Sequence, residues 1–145
     1  MIEPIAVIPY LSFQGNCEEA ITAYIQAFGG KILYLSRWTD QSCKNTPELI
    51  GKVMHTEFMI GQTRMSAGDN PESAPPNETV KFMIRTSSFK EAQSAVTVLS
   101  SGGKILSALK PHPKPDDAGC GSITQDRFGF VWIITCPNPE KQYNF

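Results

Sequence analysis

Gly29-Gly30-Lys31-Ile32-Leu33 returns as Gly102-Gly103-Lys104-Ile105-Leu106, with Gly29 and Gly102 lying 73 positions apart. Each copy is preceded by the same kinds of segment. An apolar stretch comes first, Ile5 to Phe13 or Val80 to Thr86. A helical stretch with an acidic start follows, Glu18-Glu19-Ala20 or Glu91-Ala92. The glycines then end the helix, and Lys-Ile-Leu opens a strand. The chain therefore reads as a duplicated unit of about 70 residues.

Working outward from the first copy, Ile5 to Phe13 is apolar on both alternating faces, with Pro9 marking an edge or a bulge. Asn16 is placed as a helix N-cap with Glu19 three residues on. Ala20, Ile21, Tyr24, Ile25 and Phe28 recur at helical spacing as a buried stripe. Lys31 to Trp38 alternates as a second strand. Thr39 to Glu48 shows no period and reads as a loop. Lys52 to Ile60 is a third strand, and Gly61-Gln62 turns it into a fourth, Thr63 to Ala67. Pro71 to Asn77 is a linker.

The second copy repeats the order. Val80 to Thr86 is a strand. A helix from Ser87-Ser88 buries Ala92, Ala95, Val96 and Leu99. Lys104 to Leu109 is a strand, and the proline-spaced Lys110 to Asp117 is a stiff loop. Cys120 to Asp126 and Phe130 to Cys136 form a hairpin. The fold class is α+β: two β-α-β-β-β modules, about 5–70 and 78–137, within one domain, with mixed sheets curled around a cleft and a loose tail at 138–145.

Composition narrows the function. The 145 residues are 41% hydrophobic, enough for a real core, and the net charge of −1 offers no basic face for nucleic acid. No apolar run reaches bilayer length, and no basic leader opens the chain, so no membrane partner is expected. Cys17, Cys43, Cys120 and Cys136 form no C-x-x-C pair, and free thiols fit a reducing cytoplasm.

The quoted pieces together resemble the vicinal-oxygen-chelate superfamily, which includes glyoxalase I, bleomycin-resistance proteins and extradiol dioxygenases. Within it the chain is similar to the PhnB-like branch, often labelled after a demethylubiquinone methyltransferase. The resemblance rests on Pro9-Tyr10-Leu11-Ser12-Phe13, Gly15-Asn16, Glu19-Ala20, Tyr24, Phe28-Gly29-Gly30 and Val53-Met54-His55-Thr56-Glu57-Phe58. It continues through Ile60-Gly61, Met65-Ser66, Asp69, Gly102-Gly103, Asp126-Arg127-Phe128-Gly129 and Trp132. It implies a homodimer. It does not imply methyl transfer, because no glycine-rich nucleotide-binding turn is present.

Metal enzymes of that superfamily take ligands from strands one, four, five and eight. Here those positions fall at Pro9, Met65 to Ala67, near Lys81, and Ile133, none a usual ligand. No metal and no cofactor are expected. His55 and Glu57, two apart on the third strand, share a face. They read either as an oriented base or ligand-binding pair, or as a solvated strand face. Trp38 and Trp132 line a pocket or belong to a core or interface. Arg37, Lys81 and Arg85 are anion-binding candidates or solvated side chains. His112 is expected to be exposed, and Asp126 to serve a turn. The functional expectation is a metal-free small-molecule binder for an organic ligand. The alternative is an isomerase, lyase or hydrolase of a small polar metabolite using His55 and Glu57 as catalytic candidates, with Trp38, Lys81 and Trp132 around the ligand.

Overall fold

A computed structural model describes residues 1–141. The chain divides into two compact units, Met1–Ala74 and a second from Pro75 onward. Each holds one four-stranded mixed sheet and one helix. In the first unit the elements are β1 (Tyr10–Phe13), α1 (Cys17–Phe28), β2 (Gly30–Arg37), β3 (Val53–Ile60) and β4 (Thr63–Asp69). In the second they are β5 (Phe82–Arg85), α2 (Phe89–Ser100), β6 (Lys104–Pro111), β7 (Gly119–Gln125) and β8 (Val131–Pro137). The sheet orders are β1-β4-β3-β2 and β5-β8-β7-β6, so the two β-α-β-β-β units have one topology. In each, the first strand runs parallel to the fourth and the other pairs are antiparallel.

The repeated glycines are required by backbone crowding. A Cβ on Gly30 would stand 1.9 Å from the Met59 carbonyl oxygen, and one on Gly103 would stand 2.1 Å from that of Gln125. No side chain fits where the chain leaves the helix and joins the sheet edge.

Each helix covers one face of its sheet. Ala20, Ile21 and Tyr24 of α1 are buried with Leu11, Phe13, Phe58, Met65 and Ala67. Ala92, Ala95, Val96 and Leu99 of α2 are buried, as are Trp132, Ile134 and Cys136. The helix starts are satisfied differently. Ser88 Oγ accepts Glu91 N–H at 3.1 Å, while Glu91 Oε2 accepts Ser87 N–H and O–H, so the two ends cap each other. The hydroxyl and backbone bonds from Ser87 hold the Glu91 carboxyl below its ordinary value. Asn16 occupies the N-cap of α1 but makes no side-chain cap bond. Asp69, buried at the end of β4, does that work. Its Oδ1 accepts Gly15 N–H at 2.8 Å and Cys17 N–H at 3.0 Å, and its Oδ2 accepts Val53 N–H at 3.0 Å.

Several expected boundaries change. The first strand starts at Tyr10, not Ile5, because Pro9 has no N–H for the ladder. Its carbonyl still accepts Ser66 N–H at 2.9 Å, and Ile5 and Val7 are exposed. The fifth strand starts at Phe82, leaving Val80 exposed. The loop after β2 contains a single 3-10 turn at Pro47–Leu49, which buries Leu49. Asn138 does not begin a loose tail. It is buried, donates N–H to Ala118 O and Nδ2–H to Asp117 O, each at 2.8 Å, and Lys141 pairs with Asp117 at 3.3 Å. Residues 142–145 of that expected tail lie outside the described residues.

Candidate functional site

Alternation on β3 decides what reaches the open face of the first sheet. Thr56 and Phe58 turn toward α1 and are fully buried. His55 and Glu57 therefore face away from the helix. Strand register then assembles a row: Tyr10 pairs with Ser66, Ser66 with Glu57, and Glu57 with Tyr34. Three of these four residues come from outside β3.

Glu57 is the hub. Its Oε2 accepts the Ser66 hydroxyl and lies 2.6 Å from His55 Nε2. Its Oε1 accepts Arg64 Nε–H at 3.1 Å, with Arg64 Nη2 also at 3.1 Å. The Ser66, Arg64 and His55 hydrogen bonds hold its carboxyl below the ordinary glutamate value. The side chain of Glu57 is 16% exposed and that of His55 39%, so the carboxylate anchors from beneath and the imidazole presents. In the neutral ring with Nε2 donating to the Glu57 carboxylate, Nδ1 is left as the acceptor. Tyr10 stacks on the imidazole at 5.7 Å between centroids and 21° between planes. Tyr34 tilts against it at 6.2 Å and 47°. Both tyrosines are about half exposed, at 53% and 54%. Burial, with Cys17, Asp69 and Glu57 nearby, pushes the Tyr10 phenol up, which keeps it a neutral donor.

The structure thus brings His55 and Glu57 together and adds Tyr10, Tyr34, Arg64 and Ser66 to them. The other expected site residues lie elsewhere. Trp38 is half-buried just after β2 and donates Nε1–H to the Asp69 carbonyl at 3.0 Å. Of the two readings of Trp132, pocket wall or core residue, the structure gives the core: it is 2% exposed, on the buried side of β8. Its Nε1–H donates to Asp126 Oδ2 at 2.9 Å, and Phe82 packs on it at 5.1 Å. The strand's alternation turns Ile133, not Trp132, to the open side. Lys81 precedes β5 and donates Nζ–H to the Glu78 carbonyl at 2.6 Å. Arg37 is clamped on Glu18 at 2.7 and 3.0 Å, which holds the Glu18 carboxyl down. Asp126 serves its turn, accepting Phe128 N–H at 2.9 Å and Phe130 N–H at 3.0 Å.

A model of the family described as 3-demethylubiquinone-9 3-methyltransferase matches residues 5–135. The chain belongs to that family. Protein YjdN of Escherichia coli K12 is 26% identical over 137 residues, 87% of this chain and 91% of YjdN. Protein PA1353 from Pseudomonas aeruginosa superposes with a TM-score of 0.72 at 25% identity, over 92% of this chain and 98% of that one. A Bacillus cereus protein described as a putative 3-demethylubiquinone-9 3-methyltransferase, PhnB, gives 0.76 at 22% identity, over 90% and 98%. The fosfomycin resistance protein FosX of Listeria monocytogenes, solved with Mn(II) and sulfate, gives 0.64 at 12% identity over 98% of each chain, a likeness of fold. These place the family in the PhnB-like branch of the vicinal-oxygen-chelate superfamily.

The donors that a superfamily metal would need do not fit. On the parallel strand pairs, Tyr10 faces Ser66 in the first sheet and Met83 faces Ile133 in the second. A phenol, a hydroxyl, a thioether and an alkyl group are no ligand set for a hard divalent ion. Among the described residues no three His, Cys, Asp or Glu side chains converge. Nor does the β1–α1 turn offer a phosphate cradle, since Asp69 already takes the Gly15 and Cys17 N–H groups. Among the described residues no helix is long and apolar enough to cross a membrane.

Proposed function

We propose that the open face of the first sheet binds a small organic ligand with a planar part, and that it does so without a resident metal. The observation that carries this reading is the imidazole of His55, pinned through Nε2 to Glu57 and set beside two half-exposed tyrosine rings. A fixed acceptor between aromatic surfaces recognises a flat molecule carrying an O–H or N–H donor. Glu57 is saturated by its neighbours, so its role is to orient the imidazole rather than to touch the ligand. The methyl transfer in the family's description forms no part of this proposal.

The same geometry favours a second reading. A histidine held by a carboxylate through one nitrogen is an oriented base at the other. On a ligand with an acidic proton, His55 Nδ1 accepts that proton while Glu57 steadies the ring. The chain then acts as an isomerase, lyase or hydrolase of a small polar metabolite. We further propose a cytoplasmic homodimer. Ile32, Leu33, Ile105 and Leu106 on the outer strands β2 and β6 are each 42–51% exposed, and large apolar groups of this kind suit a protein interface.

A thermal-shift and NMR screen of small aromatic and enolisable acids, run on wild type, His55→Ala and Glu57→Gln, tests both readings. Binding of a compound that is lost in His55→Ala and weakened about tenfold in Glu57→Gln supports the site. Turnover of that compound by wild type selects the enzymatic reading. Binders that ignore both substitutions, or near-stoichiometric metal in tag-free protein, overturn the proposal.

A further inference from the structure

The second unit carries a polar cluster that the His55 face does not use. His112 directly follows β6, and its ring lies over Gly121 of β7. A Cβ at position 121 would come within 2.3 Å of the imidazole Cε1 and 2.9 Å of Nε2. The ring therefore fills the space of a missing side chain. Across the ladder from Gly121 stands Thr135, which is 2% exposed. Its carbonyl is well used, accepting Thr86 N–H and O–H at 2.9 Å each. Its hydroxyl Oγ1 is buried with no hydrogen-bond partner. A buried polar group without a partner calls for an explanation, and a missing ligand is one.

The register supplies the rest. Arg85 of β5 pairs with Thr135, and Lys110 of β6 pairs with Gly121. Residues directly opposite one another share a face. Arg85, Thr135, the His112 ring and Lys110 thus form one row, with both cations exposed. The carboxylate of Asp117, in the loop after His112, is engaged by Lys141.

We propose that this row is an oxyanion site, taking the carboxylate or phosphate group of a small molecule. The Thr135 O–H and an imidazole N–H donate to the anion, and the guanidinium and ammonium groups supply the charge. It stands on different residues from the His55 face, so each proposal fails or survives by itself.

The test is an NMR titration of the full chain with inorganic phosphate and, separately, with acetate, followed at the two imidazoles. The expected result is a saturable shift at His112, with His55 unmoved, for at least one anion. Preference for phosphate or for acetate identifies the group taken. Thr135→Val keeps the shape and removes the orphan hydroxyl. It is expected to melt no lower than wild type and to weaken anion binding about tenfold. Arg85→Gln and Lys110→Gln are each expected to weaken it several-fold. Gly121→Ala, whose methyl evicts the ring, is expected to abolish the His112 shift. No saturable shift with either anion overturns the site, as does undiminished affinity in Thr135→Val.

Discussion

In the first sheet the row Tyr10, Ser66, Glu57, Tyr34 is polar, with Ser66 hydrogen-bonded to Glu57 at its centre. In the second sheet the corresponding row is Met83, Ile133, Ile123, Ser107, largely apolar. The repeated Gly-Gly-Lys-Ile-Leu fixes the correspondence, since it sets Tyr34 against Ser107. Two residues back along β3 the first unit has His55; the matching place in β7 is Gly121, and His112 reaches over it from the end of β6. Three residues beyond Ser66 lies Asp69, which holds α1, the preceding turn and the start of β3 together. Three beyond Ile133 lies Cys136, a buried thiol opposite Cys120 whose burial pushes it up to about 11. One topology tolerates both solutions because the backbone ladder and the helix-facing side carry the fold. The open face is then free to diverge.

The largest expected effect breaks the comparison at Asp69. Asp69→Ala strands three N–H groups on the first unit, with an expected cost of about 3–5 kcal/mol in urea denaturation. Cys136→Ala strands no backbone donor and should cost less than half as much. Equal losses would mean that the carboxylate is no special tie.

Next come the glycines. Gly30→Ala drives a methyl into the Met59 carbonyl at a φ of +143°, and about 2–4 kcal/mol should be lost. Gly121→Ala meets only the movable His112 ring and should cost about 1 kcal/mol or less. Thermal melts of the two variants rank them.

Glu57 predicts a pH dependence that the second sheet has no counterpart for in that row. Its carboxyl is lower in the folded chain than in the unfolded one, so the unfolded state binds the proton first. The stability it contributes is complete above the ordinary glutamate value, near 4.3, and is lost as pH falls from there through the folded value. Glu57→Gln should flatten that part of the stability profile. An unchanged slope would remove Glu57 as the hub.

The smallest effect belongs to Arg37→Ala. Its pair with Glu18 is exposed on both sides, at 46% and 50%, and solvent screens it, so the urea midpoint should barely move.

Much of this fold was legible in the sequence because the repeat and the strand alternation are local signals. The boundary errors at Ile5 and Val80 came from apolar residues that join no ladder. The pairing of His55 with Glu57 was legible from their i, i+2 spacing. Tyr10, Tyr34, Arg64 and Ser66 were not, since register between strands is a long-range property with no local signature. Trp132 stays open between pocket and core in the sequence because alternation says which residues share a face, not which face the helix covers. Asp69 was missed as a cap because it caps from 52 residues away in sequence.

The most direct measurement is a crystal structure of tag-free protein with a bound screening hit, recorded with anomalous data across common metal edges. The account predicts ligand density against Tyr10, His55 and Tyr34 of the first sheet and no ion held by strand side chains. A ligated ion at those strands, or a ligand that leaves the His55 face bare, would contradict it.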